Sequence, residues 1–138
     1  MRELPPHPDA AEAIGALREA GLGVVTLTNN LREVAEDQMR NAGLRDLLDG
    51  VYSVHDAGLL KPAPETYQHV LRETGTAPGD AVMIAAHDWD VAGAAAAGMR
   101  TVLIARNGEI PLPGHPEPTW TVPSLRATAG ALTTGPAR

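Results

Sequence analysis

Cysteine is absent from this 138-residue chain, which excludes a disulfide framework and any thiolate metal site. Phenylalanine is absent too, and aromatic residues make up only 3%, so the core has to be built from Ala, Val, Leu and Ile. No apolar run approaches the roughly 18–20 residues that a membrane span needs. The opening MRELPPHPDAA has no apolar stretch of the secretory type, so a cytoplasmic location is expected. No basic patch offsets the net charge of −6, which argues against nucleic acid or an anionic membrane as partner. His7, His55, His69 and His115 read as surface residues, and no two histidines stand at metal-ligand spacing, so no zinc site is expected.

What is present is one domain's worth of alternating elements with an ordinary apolar content of 43%. Pro8 suits the first position of a helix carrying Ala13, Ile14, Leu17 and Ala20, with Gly21 as its stop. Gly23–Thr28 is a short β-branched run, hence a buried strand. Asn29 or Asn30 is placed to cap the next helix, whose face is Leu31, Val34, Ala35, Gln38, Met39 and Ala42. Val51–Val54 reads as a strand, Lys61–Pro64 as a loop, and Pro64 opens a helix that Gly75 ends. Ala81–Ala86 is expected to be a strand, Val91–Ala97 a small-residue helix packed close on the sheet, and Thr101–Ala105 a strand. Residues 107–123 are proline-rich and expected to be extended along the surface. Ser124 is placed to cap a last helix to Leu132, and residues 133–138 are expected to fray. Strands alternating with helices at this spacing predict a parallel α/β sheet.

One unit stands out. Met83–Arg106 is an apolar run, then Asp88 and Asp90, an Ala-rich helix and a second apolar run. It sets polar groups at the carboxyl end of a buried strand, where open α/β sheets bind ligands. Two further motifs precede it: LTNN (Leu27–Asn30) ending a strand, and GLLKPAPETYQHVL (Gly58–Leu71), with Lys61 before Pro62 and Tyr67 six residues on. Together these resemble the haloacid dehalogenase superfamily, within it the type II (S)-2-haloacid dehalogenases, over about Pro8–Leu132. The Lys-Pro and Trp-Asp-x-x-Gly steps are the specific parts.

The resemblance implies a three-layer, Rossmann-like α/β core and a catalytic apparatus. An Asp at the end of the first, central strand attacks C2 of a 2-haloacid and displaces halide, and water then hydrolyses the ester. Thr28 and Asn29 match the site for the substrate carboxylate, and Tyr67 matches a tyrosine lining the active site. Lys61 matches the lysine that keeps the nucleophile ionised. Asp90 matches the acidic residue that pairs with that lysine and positions water. His87 falls where haloacid enzymes usually carry Asn. The division of labour is physically sound, because an anionic substrate meeting an anionic nucleophile needs cationic and N–H compensation.

The family's nucleophile lies in an Asp-x-x-Gly-Thr motif after an apolar strand, and no such motif occurs here. Glu3 and Asp9 follow no apolar run, and Pro5, Pro6 and Pro8 exclude a central strand. The chain therefore reads as the C-terminal portion of such an enzyme, residues 1–132 forming a partial core without the first central strand, and is expected to be inactive alone. In the family that strand lies between the strands ending at Thr28 and Ala86. Its absence leaves a seam that invites self-association or a complementing chain.

Blander roles compete at each position. Asp90 can cap a helix beginning at Val91, Thr28 and Asn29 can cap the Leu31 helix, Tyr67 can simply pack, and Trp89 is expected in the core behind the loop. Two other functions are open: a non-catalytic binding or assembly domain, and a phosphatase of the superfamily. The phosphatases hold Mg²⁺ through the nucleophile and an acidic residue about four before the second carboxylate. Ala86 stands four before Asp90, which favours the metal-free dehalogenases, with no cofactor.

Overall fold

The computed structural model describes residues 10–56, 58, 61, 63–105 and 117–134. Helices α1 (Ala10–Glu19), α2 (Arg32–Asn41), α3 (Pro64–Thr74), α4 (Asp88–Ala96) and α5 (Leu125–Thr134) alternate with strands β1 (Val25–Thr28), β2 (Gly50–Ser53), β3 (Val82–Ala85), β4 (Arg100–Ile104) and β5 (Trp120–Val122). Every pairing is parallel, as the alternation of elements predicts. No helix among the described residues is long and apolar enough to cross a membrane.

The local chemistry explains most boundaries. Pro64 opens α3, where a missing amide costs nothing. Gly75 ends it at φ 65°, a left-handed cap that only glycine adopts freely. Ser124 Oγ accepts the Ala127 amide and caps α5. In α4 the small residues do what their sizes allow: Val91 and Ala94 are fully buried, and the helix packs on β3 and β4.

Four expectations need correction. No side chain caps α2: Leu31 is the cap residue, and Asn29 and Asn30 lie in the preceding turn. Helix α4 starts at Asp88 rather than Val91, with His87 as the cap residue in extended conformation, so Asp90 sits inside the first turn and does not cap. Acidic residues are favoured there by the helix dipole. The proline-rich segment holds a strand, β5, its Val102↔Trp120 and Ile104↔Val122 pairings burying Trp120 and Val122. The last helix runs to Thr134, into the stretch expected to fray, and positions 135–138 lie outside the described residues, as does Pro8.

The described strands do not form one sheet. They form a two-stranded sheet, β1–β2, and a three-stranded sheet, β3–β4–β5. Strands β1 and β3 are half-exposed at every position, whereas β4 is buried from Thr101 to Ile104. Each sheet has its own core. One gathers Ala10, Ile14, Ala35, Leu44, Leu48 and Val51, the other Val102, Ile104, Trp120 and Val122. Leu125 packs against both, α1 lies on α5, and Arg126 pairs with Glu12 at 3.0 Å. The halves are thus joined on one side by α1 and α5.

That arrangement makes Leu125 a shared core residue. Leu125→Ala should cost about 2 kcal/mol, the low end for apolar truncation because the side chain is only half-buried. In urea titrations both halves should lose stability together. A transition that splits, with only the Trp120 signal displaced, would contradict a shared core.

Candidate active site

The site is assembled from the carboxyl ends of β1 and β3. At the end of β1 the chain turns through Asn29 and Asn30. Thr28 Oγ1 accepts the Asn30 amide at 3.1 Å, closing a tight turn, and buried Ser53 at the end of β2 donates its hydroxyl to the Asn30 carbonyl at 2.7 Å. This fixes Thr28 and Asn29 beside the start of α2. The first-turn amides of that helix have no side-chain cap.

Asn29 reaches a residue 32 positions away. Its Oδ1 accepts the Lys61 backbone amide at 3.1 Å and so anchors the Lys61 loop. The Lys61 side chain then folds inward. Its Nζ donates to the Leu27 carbonyl of β1 at 3.2 Å and to Asp90 Oδ2 at 2.8 Å. Lys61 is therefore bonded to both halves of the molecule. An ammonium has three protons, and the third has no acceptor among the described residues.

Asp90 projects from the first turn of α4, and its side chain and that of Lys61 are 8% and 11% exposed. A buried ion pair needs further hydrogen bonds to offset desolvation. Tyr67 supplies one: its hydroxyl donates to Asp90 Oδ1 and lies 3.2 Å from the Asp90 carbonyl. Burial first, and the adjacent Asp90 carboxylate second, push the Tyr67 phenol well above its ordinary value of 10.0. Tyr67 stays a proton donor throughout the neutral range. It is 1% exposed, behind Asp90, so it holds that carboxylate in place and offers a substrate no open face.

His87 and Trp89 form the outer wall. Their rings stack, centroids 5.4 Å apart at 24°, and Lys61 Nζ lies 5.7 Å from the Trp89 ring. Trp89 is 38% exposed, against the expectation that it fills the core. That expectation followed from starting the helix at Val91. Once α4 starts at Asp88, Trp89 falls in the first turn beside Asp90 and faces outward. Trp89 is thus the site-wall residue that sequence reasoning passed over.

Thr28, Asn29, Lys61, Tyr67 and Asp90 are linked through one continuous set of contacts, with His87 and Trp89 at its rim. The cluster offers a hydroxyl, turn amides and an ammonium to an anion, and a carboxylate with a fixed orientation. Both Asp90 oxygens are engaged, one by Tyr67 and one by Lys61, so this carboxylate is poorly disposed to bind a divalent cation.

Two measurements check this wiring. Because the folded state holds the Tyr67 proton more tightly than the unfolded state, its contribution is fully present below pH 10.0 and declines above it as the unfolded chain ionises first. Wild-type stability should fall in this alkaline range, and Tyr67→Phe should remove that part of the slope. An unchanged slope would refute the assignment. Lys61→Met, which leaves Asp90 buried without its cation, should cost about 3–5 kcal/mol at neutral pH, with part of that loss recovered in Lys61→Met/Asp90→Asn.

A model of haloacid dehalogenase-like hydrolases matches residues 1–98. An (S)-2-haloacid dehalogenase of Burkholderia cepacia is 34% identical over 110 residues, 80% of this chain and 48% of the relative. A phosphatase of Mycobacterium tuberculosis is 38% identical over 105 residues, 75% of this chain and 48% of the relative. The solved L-2-haloacid dehalogenase of Xanthobacter autotrophicus superposes with a TM-score of 0.90 at 25% identity, covering 97% of this chain and 63% of that one. The chain spans about half the length of the curated relatives it matches. The model match over most of the chain and the close superposition agree with the strand-end cluster: the chain belongs to the haloacid dehalogenase-like hydrolases.

Proposed function

We propose that this chain supplies the lysine–aspartate half of an active site that hydrolytically dehalogenates small 2-haloacids, acting in the cytoplasm. The observation that carries the reading is the Lys61–Asp90–Tyr67 cluster at the ends of β1 and β3, in which Asp90 is saturated by an ammonium and a phenol. In this chemistry a carboxylate oxygen forms a bond to C2 as the carbon–halogen bond breaks and halide leaves with the electron pair. Water then adds to the ester carbonyl, regenerating the carboxylate and releasing a 2-hydroxyacid. Covalent catalysis of this kind divides one hard displacement into two steps.

The residues divide the work as follows. Lys61 would stabilise the attacking carboxylate, and Asp90 fixes that ammonium. Thr28 keeps its hydroxyl proton to donate, because its oxygen accepts from Asn30. With the uncapped amides at the start of α2 it suits the substrate carboxylate. His87 and Trp89 border the space where the rest of the acid lies. The nucleophile is an Asp that this sequence does not contain in the required motif, so the chemistry needs a carboxylate from elsewhere in the assembled protein.

A second reading is a Mg²⁺-dependent phosphatase, favoured by the similarity to the Mycobacterium tuberculosis protein. Ala86 and the engaged oxygens of Asp90 weigh against it. The two readings separate in solution. The chain should bind (S)-2-chloropropionate weakly, with Thr28→Ala reducing affinity about tenfold, as expected for a lost charge-assisted hydrogen bond. It should release no chloride by itself. Chloride release by the purified chain would overturn the assignment of the nucleophile, and Mg²⁺-dependent hydrolysis of p-nitrophenyl phosphate would favour the phosphatase.

A further inference from the structure

We propose that Ser53 is a positioning residue of the site: its hydroxyl sets how tightly Thr28 and the start of α2 take an anion, and how firmly the Lys61 loop is held. Ser53 is 0% exposed and so meets no ligand itself. It is the last residue of β2 and stands opposite Thr28 in the parallel ladder. Registered partners project to the same face of a sheet, which carries the Ser53 hydroxyl under the turn after β1. There it accepts the His55 amide at 3.2 Å and donates to the Asn30 carbonyl at 2.7 Å. A buried hydroxyl is costly unless bonded, and both of these bonds go to the two loops that bear the site rather than to the sheet.

The consequences run in two directions. The Asn30 carbonyl belongs to the planar peptide that enters Leu31, the cap residue of α2. Holding that oxygen fixes the plane from which the uncapped first-turn amides proceed. The Asn30 amide meanwhile donates to Thr28 Oγ1, so Asn30 is held by both its backbone groups and the Thr28 hydroxyl keeps its proton for an anion. Through the same turn Ser53 steadies Asn29, whose Oδ1 accepts the Lys61 amide. Through His55 it also ties down the start of the segment that leads to Lys61. One buried hydroxyl thus joins the donors of the anion site to the loop that carries the ammonium. Alanine fits the same space but offers no bond. The ligand part of this inference rests on the haloacid reading, whereas the positioning of the turn and the loop stands without it.

The test compares Ser53→Ala and Ser53→Cys in the 138-residue chain, at a temperature where emission from buried Trp120 shows every variant folded. Cysteine keeps the volume but is a weak donor, so the two variants should behave alike. Hydrogen exchange should quicken at the Asn30 and Lys61 amides, about tenfold beyond any change at Val102 and Leu103 in β4. Affinity for (S)-2-chloropropionate should fall about fivefold, the contribution of one neutral hydrogen bond. Because Ser53 acts through the turn, Ser53→Ala should add little to Thr28→Ala, and the double variant should lose about tenfold rather than about fiftyfold. Exchange that rises equally in β4, full recovery by Ser53→Cys, or a double variant with the product of the two single losses would each overturn the positioning role. A wild-type chain that binds no chloropropionate would remove the haloacid reading alone, and the exchange measurement would still decide the role of Ser53.

Discussion

The ion pair between Lys61 and Asp90 is the constraint around which the molecule is organised. Two opposite charges are held almost out of water, and such a pair persists only when its remaining donors and acceptors are matched. Here the matching partners come from distant parts of the chain: the Leu27 carbonyl from β1 and the Tyr67 phenol from α3. The pair therefore fixes more than two side chains. It couples the end of one sheet to the first turn of a helix that follows the other. On the opposite side α1 and α5, with Leu125 between the two cores, complete the connection.

The surrounding residues make sense as supports for that pair. Asn29 orients the backbone from which Lys61 departs, and Ser53 holds the turn that carries Asn29. Tyr67 consumes one oxygen of Asp90 and is itself sealed from solvent. The outcome is an ammonium whose position is determined from three directions and whose third proton has no acceptor among the described residues. A group with that description suits the stabilisation of an arriving anion, because little reorganisation is required when the anion comes.

Much of this was legible in the sequence. Strands alternating with helices at short spacing predicted the parallel α/β class, and the order of LTNN, Lys-Pro and Trp-Asp-x-x-Gly pointed to Thr28, Lys61 and Asp90. What escaped has identifiable causes. The Ala-rich run from Ala94 drew the expected start of α4 three residues too far along, which hid Trp89 from the site. Strand β5 is three residues long in a proline-rich segment, and only its pairing with β4 defines it, so no local periodicity reports it. Tyr67 was recognisable as a site residue, but its role depends on whether its hydroxyl faces a carboxylate or open space, and that is a property of packing between α3 and α4. The division into two sheets could be anticipated only from the family resemblance, because the Asp-x-x-Gly-Thr motif and its strand do not occur in this sequence.

The stacked wall of the site also has an optical consequence. The chain holds two tryptophans, and their surroundings differ sharply: Trp120 is 6% exposed in an apolar core, while Trp89 is 38% exposed, stacked on an imidazole and close to an ammonium. The two indoles should therefore emit as separable components, the buried one blue-shifted and shielded. The outer one is open to collisional quenching by small solutes. The protein thus contains a fluorescent reporter on the outer wall of the cluster, with a second indole as an internal reference.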